Sequence, residues 1–418
     1  MDIIDKNQSS WNRKYEWKAV TLLSIGFGLV GLDRWIIAPL LPSMIPDLNL
    51  NYQDVGYIFG ALGILWGVFA IFTGSLSDRF GHRKILIPAI LFFSIMSGFS
   101  GMATGLVSLI LIRSLMGASE GAYCPTSFAA TAFAAKPSRR GLLQGIQQSG
   151  FPLFGLALGP IIATQLLLVL PSWREVFWIV AIPGFIVGVL MYFVLKDPAK
   201  PSQSVSLPKA VPNNKNNWLE IIKTKNIMIC MLALFCCMSC IFVLGAMVPL
   251  YLENYLGLSP QQMGLVTSAI GFGGFAGQFA LPGISDILGR KIVAIISFAG
   301  AAVFVWLFAQ TGVNINYLFA TLFVVSFFCL GNIALITGPI STESAPAGLV
   351  ASSIGLVVGA GEIFGGGVAP LIGGYIAENF GIENVLYLAL VGVILGAIVS
   401  LFLTETAPKK ISKLSRAV

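Results

Sequence analysis

Gly74-Ser75-Leu76-Ser77-Asp78-Arg79-Phe80-Gly81-His82-Arg83-Lys84 is a polar island between two long apolar runs, and a related island recurs as Asp286-Ile287-Leu288-Gly289-Arg290-Lys291. The offset, from Asp78 to Asp286, is 208. The same offset carries Leu48-Asn49-Leu50 onto Leu256-Gly257-Leu258 and Gly56 onto Gly264, while Pro160 meets Pro370 at 210. Self-similarity at a fixed period decides architecture before any local reading does. The chain is two homologous halves.

The solvent of those halves follows from composition. Of 418 residues, 56% are hydrophobic and 10% charged, where a soluble domain carries about a quarter charged residues. So few charges cannot cover a water-soluble surface. Apolar runs near the ~20 residues needed to cross ~30 Å of hydrocarbon recur from end to end. They lie near 19–42, 54–76, 84–104, 106–128, 141–168 and 175–195, then 226–252, 262–282, 291–311, 316–339, 350–376 and 384–404. The expected fold is an all-α membrane protein with twelve transmembrane helices in two six-helix, pseudo-symmetric bundles. Residues 1–195 form the N-terminal bundle and 226–404 the C-terminal one. Between them, 196–225 is rich in Pro, Asn, Ser and Lys and reads as a flexible cytoplasmic linker; 405–418 is a cytoplasmic tail. A polar stretch, Asp2 to Lys18, precedes the first apolar run, so no cleavable signal is read there and the first helix is expected to stay.

Short cytoplasmic loops are enriched in Lys and Arg. With both termini inside, all but Arg34, Arg113 and Arg174 of the 25 lysines and arginines fall on the cytoplasmic side. The outer loops Ser43 to Gln53, Glu253 to Gln261 and Glu378 to Glu383 hold acids and no bases. The net charge of +7 is thus a topology signal for the cell (plasma or inner) membrane, and no nucleic-acid partner is needed to explain it. The six cysteines, Cys124, Cys230, Cys236, Cys237, Cys240 and Cys329, all sit in apolar runs without metal-ligand spacing. They read as packing residues. Neither metal nor cofactor is expected.

An ionisable residue at mid-bilayer costs at least about 2.5–3.5 kcal/mol on insertion scales, so each needs a partner or a function. Asp33 and Arg34 lie near the middle of span one, Arg113 and Glu120 in span four. Seven residues are about two helical turns, so Arg113 and Glu120 share a face. Their counterparts at the 208 offset are Ile241, Phe242, Thr321 and Phe328. A structural ion pair could have been kept in both halves, so the asymmetry favours a working site in the N-terminal half. The competing reading is two neutral pairs, Asp33 with Arg34 or Arg113 and Glu120 with its arginine, that only hold spans one and four together. Glu362, flanked by Gly359, Gly361 and Gly365 in span eleven, is a fifth ionisable residue and a third acid, either a second proton site or a group bonded to a facing helix.

Six spans per half around a long central linker, with Gly74 to Lys84 between spans two and three, resembles the major facilitator transporters. His82 stands where that signature usually has a basic residue, and in the second copy Pro282 and Ile287 replace the leading Gly and the Arg. The resemblance implies a gate latch made by Gly74, Asp78, Arg79, Gly81, Arg83, Lys84, Asp286 and Arg290. Glycines permit the tight turn, Asp78 can face a helix N-terminus, and the arginines can pair with acids of the other half. The alternative is that Arg79, Arg83 and Lys84 merely fix topology.

Within the superfamily, Asp33-Arg34, the stretch from Arg113 to Glu120, and Trp173-Arg174 together resemble the anion:cation symporters, which take up organic anions with protons. That likeness implies Arg34 and Arg113 in anion binding or coupling and Asp33 and Glu120 as proton carriers. The spinster family of lysolipid transporters has a similar Asp-Arg pair, and Gly155 to Ala163 is similar to the span-five signature of drug:proton antiporters. Efflux of amphipathic drugs or lysolipids is therefore the alternative function.

Trp35, Tyr57, Trp66, Gln147, Gln278 and Asn332 are polar or aromatic residues at membrane depth and candidates to line the substrate site. Phe151 and Phe272 would make it partly apolar, which points to an amphipathic or aromatic acid. Lipid-facing or packing positions are equally compatible with the tryptophans and the tyrosine. No nucleophile elbow, paired loop acids or phosphate-cradling loop is present, so no enzyme is expected. The expected partners are a small organic anion, protons and the lipid bilayer, served by a monomer through alternating access.

Overall fold

The computed structural model describes residues 12–136, 140–196, 217–346, 349–407 and 410. Twelve long helices follow in chain order: α1 (Arg13–Leu48), α2 (Tyr52–Phe80), α3 (Arg83–Ser100), α4 (Leu106–Ala134), α5 (Leu142–Val169), α6 (Trp173–Val194), α7 (Lys225–Tyr255), α8 (Pro260–Leu288), α9 (Arg290–Ala309), α10 (Ile315–Ser344), α11 (Ser352–Phe380) and α12 (Ile382–Ser400). All except α4 are long and apolar enough to cross a bilayer. Helix α4 has the length, 29 residues, and is the one that carries both Arg113 and Glu120. Of the expected linker, residues 197–216 lie outside the described residues; its end folds as a short helix, Asn217–Lys223, with Ile221 buried.

The helices stop where their sequences supply caps. Asn51 and Asp54 exchange bonds in a capping box at the start of α2, and Ser259 and Gln262 do the same for α8. Gly81 and Gly289 end α2 and α8 at φ 92° and φ 105°, a region that strains any residue with a Cβ. The two polar islands of the repeat are thus the same turn.

Five of the described helices depart from α geometry. Helix α1 is regular to Trp35 and resumes through Ala38–Leu40 and Leu41–Leu48, because Pro39 has no N–H for the carbonyl of Trp35. Wide π turns occupy Pro152–Leu158 in α5, Tyr251–Tyr255 at the end of α7, Ile336–Ile340 in α10 and Gly361–Val368 in α11. Such turns recur at functional sites. The last contains Gly361, Gly365, Gly366 and Gly367, which are weak helix formers.

Lipid gives helices no hydrophobic reason to associate, so close approach of small residues and polar contacts hold them together. The halves meet along two seams related by the repeat, α2 with α11 and α5 with α8. Gly63 lies against the Gly366 carbonyl and Gly271 against the Ala157 amide, leaving no room for a Cβ at either glycine. At the end away from the termini, the Tyr52 amide donates to Glu378 Oε2 at 2.9 Å and Asn254 Nδ2 to Tyr52 Oη at 3.2 Å. Near the termini, a Cβ added to Gly145, Gly283, Gly338 or Gly355 would meet nothing within 4 Å. The α2–α11 seam is bridged at the end away from the termini.

Candidate functional site

Arg34 and Glu362 form an ion pair across the two halves, Nη2 to Oε2 at 3.1 Å, with relative exposures of 1% and 6%. Helix α1 delivers Arg34 just before its break, and the wide turn of α11 delivers Glu362. Gly366 makes the meeting possible: a Cβ there would lie 2.7 Å from Glu362 Oε2 and 3.2 Å from Arg34 Nη2. Three rings surround the guanidinium, with centroids 4.5 Å (Phe242), 5.7 Å (Trp66) and 5.9 Å (Trp35) from its central carbon. Rings at this distance stabilise a cation through their quadrupoles. Arg34 Nε and Nη1 are buried and have no acceptor, and the indole nitrogens of Trp35 and Trp66 are in the same position.

The other three charges lie close behind. Asp33 accepts from Ser97 Oγ at 2.7 Å, and Arg113 Nη1 donates to the carbonyls of Asp33 (2.9 Å) and Arg34 (3.4 Å). Those carbonyls belong to the last turn before the break in α1, where helix partners run out and the dipole is negative. Arg113 thus caps that break. Neither oxygen of Glu120 has a donor, although the residue is fully buried and within electrostatic reach of Arg34, Asp33, Arg113 and Glu362. Two guanidinium groups and three carboxyl groups share one region, fed by α1, α4 and α11. A buried, half-satisfied cationic fork among aromatic rings is suited to a carboxylate.

Residues 23–259 and 230–417 match the family described as Major Facilitator Superfamily, each match holding one half of the repeat. The chain belongs to the Major Facilitator Superfamily. This superfamily transporter is 28% identical to the hexuronate transporter of Bacillus subtilis over 338 residues, 80% of this chain and 75% of the relative. It is 26% identical to the cis,cis-muconate transport protein of Acinetobacter baylyi over 400 residues, 89% of this chain and 91% of that one. Its fold matches a bacterial homologue of the human lysosomal transporter Spinster, solved inward-facing and unoccupied, with a TM-score of 0.74 at 16% identity, covering 93% and 97% of the two chains.

The remaining expected lining residues of this Major Facilitator Superfamily chain are spread more widely. Gln147 is buried and donates to Ser127 Oγ at 2.8 Å, its Oε1 left without a donor. The Phe151 ring lies 5.5 Å from Phe27, and its carbonyl abuts Gly31 of α1. Phe272 follows Gly271 on the α5–α8 seam, and Gln278 lies further along α8 with a buried, unpartnered Oε1. Asn332 bonds to the Ala294 carbonyl of α9 at 3.5 Å, and Tyr57 is exposed and accepts from Gln53 at 2.8 Å. Neither contact ties those two to Arg34. Ser97 and Phe242 are the members of the central set that were not nominated from sequence.

In the two gate loops, Gly81 supplies the turn, Lys84 is exposed, and Arg83 bonds to the Tyr192 carbonyl with its guanidinium 4.8 Å from that ring. Arg290 pairs with Asp286 at 2.7 Å and with Glu343 of α10 at 2.9 Å. The acids that hold Arg290 thus come from its own half, where acids of the other half were expected. Glu405, beyond α12, adds to this cluster by accepting from the Arg290 amide at 2.8 Å. The backbones of Gly74, Asp78 and Arg79 belong to α2; the side chains of Asp78 and Arg79 lie outside the described residues.

Proposed function

We propose that this transporter takes up a small organic carboxylate together with protons by alternating access. The observation that carries the reading is the buried guanidinium of Arg34, which joins the halves and still has two nitrogens without acceptors. Each unsatisfied buried donor costs roughly 1–3 kcal/mol, and a carboxylate gripped by Arg34 would remove that cost. An anion added to two guanidinium and three carboxyl groups leaves surplus negative charge at membrane depth. Protons on Asp33, Glu120 or Glu362 offset it, which couples the two fluxes. The names of the relatives, for a hexuronate and for muconate, support a carboxylate as cargo.

The crowding of basic residues toward the side of the termini supports a topology with both termini in the cytoplasm and the chain in the plasma or inner membrane. The end bridged by Tyr52 and Glu378 then faces outward. The bundles 1–195 and 226–404 rock about the Arg34 region, with the linker 196–225, the tail 405–418 and the gate loops on the cytoplasmic side. One chain holds every group of the set, so the working unit is the monomer.

The test is uptake into proteoliposomes under an imposed inward proton gradient. Labelled glucuronate or cis,cis-muconate accumulates in the wild type, and accumulation is lost in Asp33→Asn and Glu120→Gln. Variants that accumulate like the wild type would remove the coupling assignment, and proton-driven outward flux of amphipathic compounds would favour export.

A further inference from the structure

At the end away from the termini each half carries a cavity, and the repeat makes the two cavities copies of one another. In the N-terminal half the walls include Ser43, Asp47, Trp173 and Arg174. In the C-terminal half Tyr251, Tyr255, Glu383, Tyr387 and the loop residues Gln310 and Thr311 border a space of about 270 Å³. The offset of 208 carries Ser43 onto Tyr251 and Asp47 onto Tyr255, and the offset of 210 carries Trp173 onto Glu383 and Arg174 onto Asn384. The loop from Gly101 to Gly105, between α3 and α4, has its counterpart in Gln310 to Asn314, between α9 and α10.

The first cavity is held by a cation of the chain itself. Arg174 pairs with Asp47 at 3.0 Å, donates to the carbonyls of Gly101 (3.2 Å) and Ala103 (2.6 Å), and lies 4.3 Å from the centroid of the Trp173 ring. One guanidinium thereby ties α1, the loop after α3 and the start of α6. The twin keeps an acid and aromatic rings at exchanged positions, with Glu383 in the place of Trp173 and Tyr255 in the place of Asp47. No residue there supplies the cation. Asn384 turns its Nδ2 back to the Phe380 carbonyl at 2.6 Å, and the segments 251–261, 309–315 and 378–388 that wall the cavity contain no lysine, arginine or histidine. Glu383 is half-buried and, among the described residues, forms no ion pair. Beside it Tyr251 and Tyr255 stack with centroids 5.2 Å apart.

We infer that this second cavity binds a small organic cation, a primary ammonium or guanidinium compound, which does for the C-terminal half what Arg174 does for the first. A carboxylate beside tyrosine rings recognises such a group by a charge-assisted hydrogen bond and by the ring quadrupoles. A hard metal cation takes about six oxygen ligands, and among the described residues no three His, Cys, Asp or Glu side chains cluster as such a site requires. The bound cation links the end of α7, the loop after α9 and the start of α12. On the topology proposed above it arrives from outside the cell, at a site separate from the Arg34 region and opposite to it in charge preference.

The experiment follows the melting temperature of the purified full-length chain as ethylguanidinium or propylammonium chloride replaces sodium chloride at constant ionic strength. A saturable rise is expected in the wild type, and Glu383→Gln should need about tenfold more of either compound for the same rise. Glu253→Gln removes an acid at the end of α7 that is not among the walls, and it should respond like the wild type. Asn384→Arg returns the internal guanidinium to the position that Arg174 holds in the twin; it should melt higher without ligand and respond little, and it keeps the test decisive should the Glu383 variant fold poorly. The response persists in Arg34→Gln. A wild type that shows no rise over the sodium reference, equal rises in the wild type and Glu383→Gln, or an Asn384→Arg chain that responds like the wild type would overturn the site. Loss of the response in Arg34→Gln would overturn it as well, by assigning the cation to the central region.

Discussion

Arg34 and Phe242 are the same position in the two halves of the repeat, and they meet, with the guanidinium carbon 4.5 Å from the centroid of the ring. Residues near a pseudo-twofold axis face their own counterparts. Duplication gave one position two neighbouring copies, and the copies diverged into a cation and the aromatic face that covers it. Trp35 follows the same logic, packing its ring on Phe242 at 5.3 Å and against Gly245.

The cover is the first thing to test. Phe242→Ala removes a buried ring and a cation–π partner, a loss of about 3–5 kcal/mol by analogy with other buried phenylalanines. The expected result is a lower melting temperature of the detergent-solubilised chain, with Phe242→Tyr close to the wild type.

Arg34→Lys keeps the charge and loses the planar fork. A lysine ammonium cannot offer the paired N–H groups that fit a carboxylate. Binding of the transported acid should weaken by about tenfold or more, the equivalent of one charge-assisted hydrogen bond, while calorimetric stability changes little by comparison. Binding equal to that of the wild type would show that two-point geometry is not used.

Gly366→Ala places a methyl group 2.7 Å from Glu362 Oε2. The atoms in its way are the side-chain ends of Glu362, Arg34 and Phe242, so the pair must separate or α11 must shift. Overpacking of this kind costs roughly 1–3 kcal/mol, and it is expected to raise KM for the carboxylate and slow exchange. An alanine variant with wild-type KM and exchange rate would mean that the pair tolerates separation.

Glu405→Ala removes the acceptor of three backbone amides, those of Arg290, Thr406 and Ala407. Loss of a helix N-terminal acceptor costs about 0.5–2 kcal/mol. Hydrogen exchange should quicken at Arg290 and along the first turn of α9, with transport largely retained. Unchanged protection at Arg290 would separate the tail from the gate loop.

The architecture was legible because each helix had to be apolar for about twenty residues and because Asp78 to Lys84 repeats as Asp286 to Lys291. The five ionisable groups of the central set were legible one at a time, since charge stands out in an oily run. Their pairing was not. Arg34 and Glu362 are 328 residues apart, and the repeat maps Arg34 onto Phe242, so periodicity points away from the true partner. Arg113 is implied in sequence as a second anion ligand; the structure turns its Nη1 to two carbonyls of α1 and leaves its Nε and Nη2 without acceptors. Sequence registers a charge and carries no sign of a helix end that needs one. Asn332 and Tyr57 were nominated by polarity at membrane depth, which does not state which side of a helix they occupy. Phe242 was silent because a phenylalanine in a membrane helix is ordinary until the axis beside it is known.

The wide turn Ile336–Ile340 interrupts α10, whereas its counterpart α4 is α-helical from Leu106 to Ala134. A π turn holds one more residue than an α turn, and between Gly81/Gly289 and Pro160/Pro370 the spacing of the duplicated halves grows from 208 to 210. A bulge in α10 can hold one such residue without changing which residues point where on either side. Ancestral insertions in such a chain can thus be stored within the hydrocarbon layer, and aligning the halves by loops alone would misplace them.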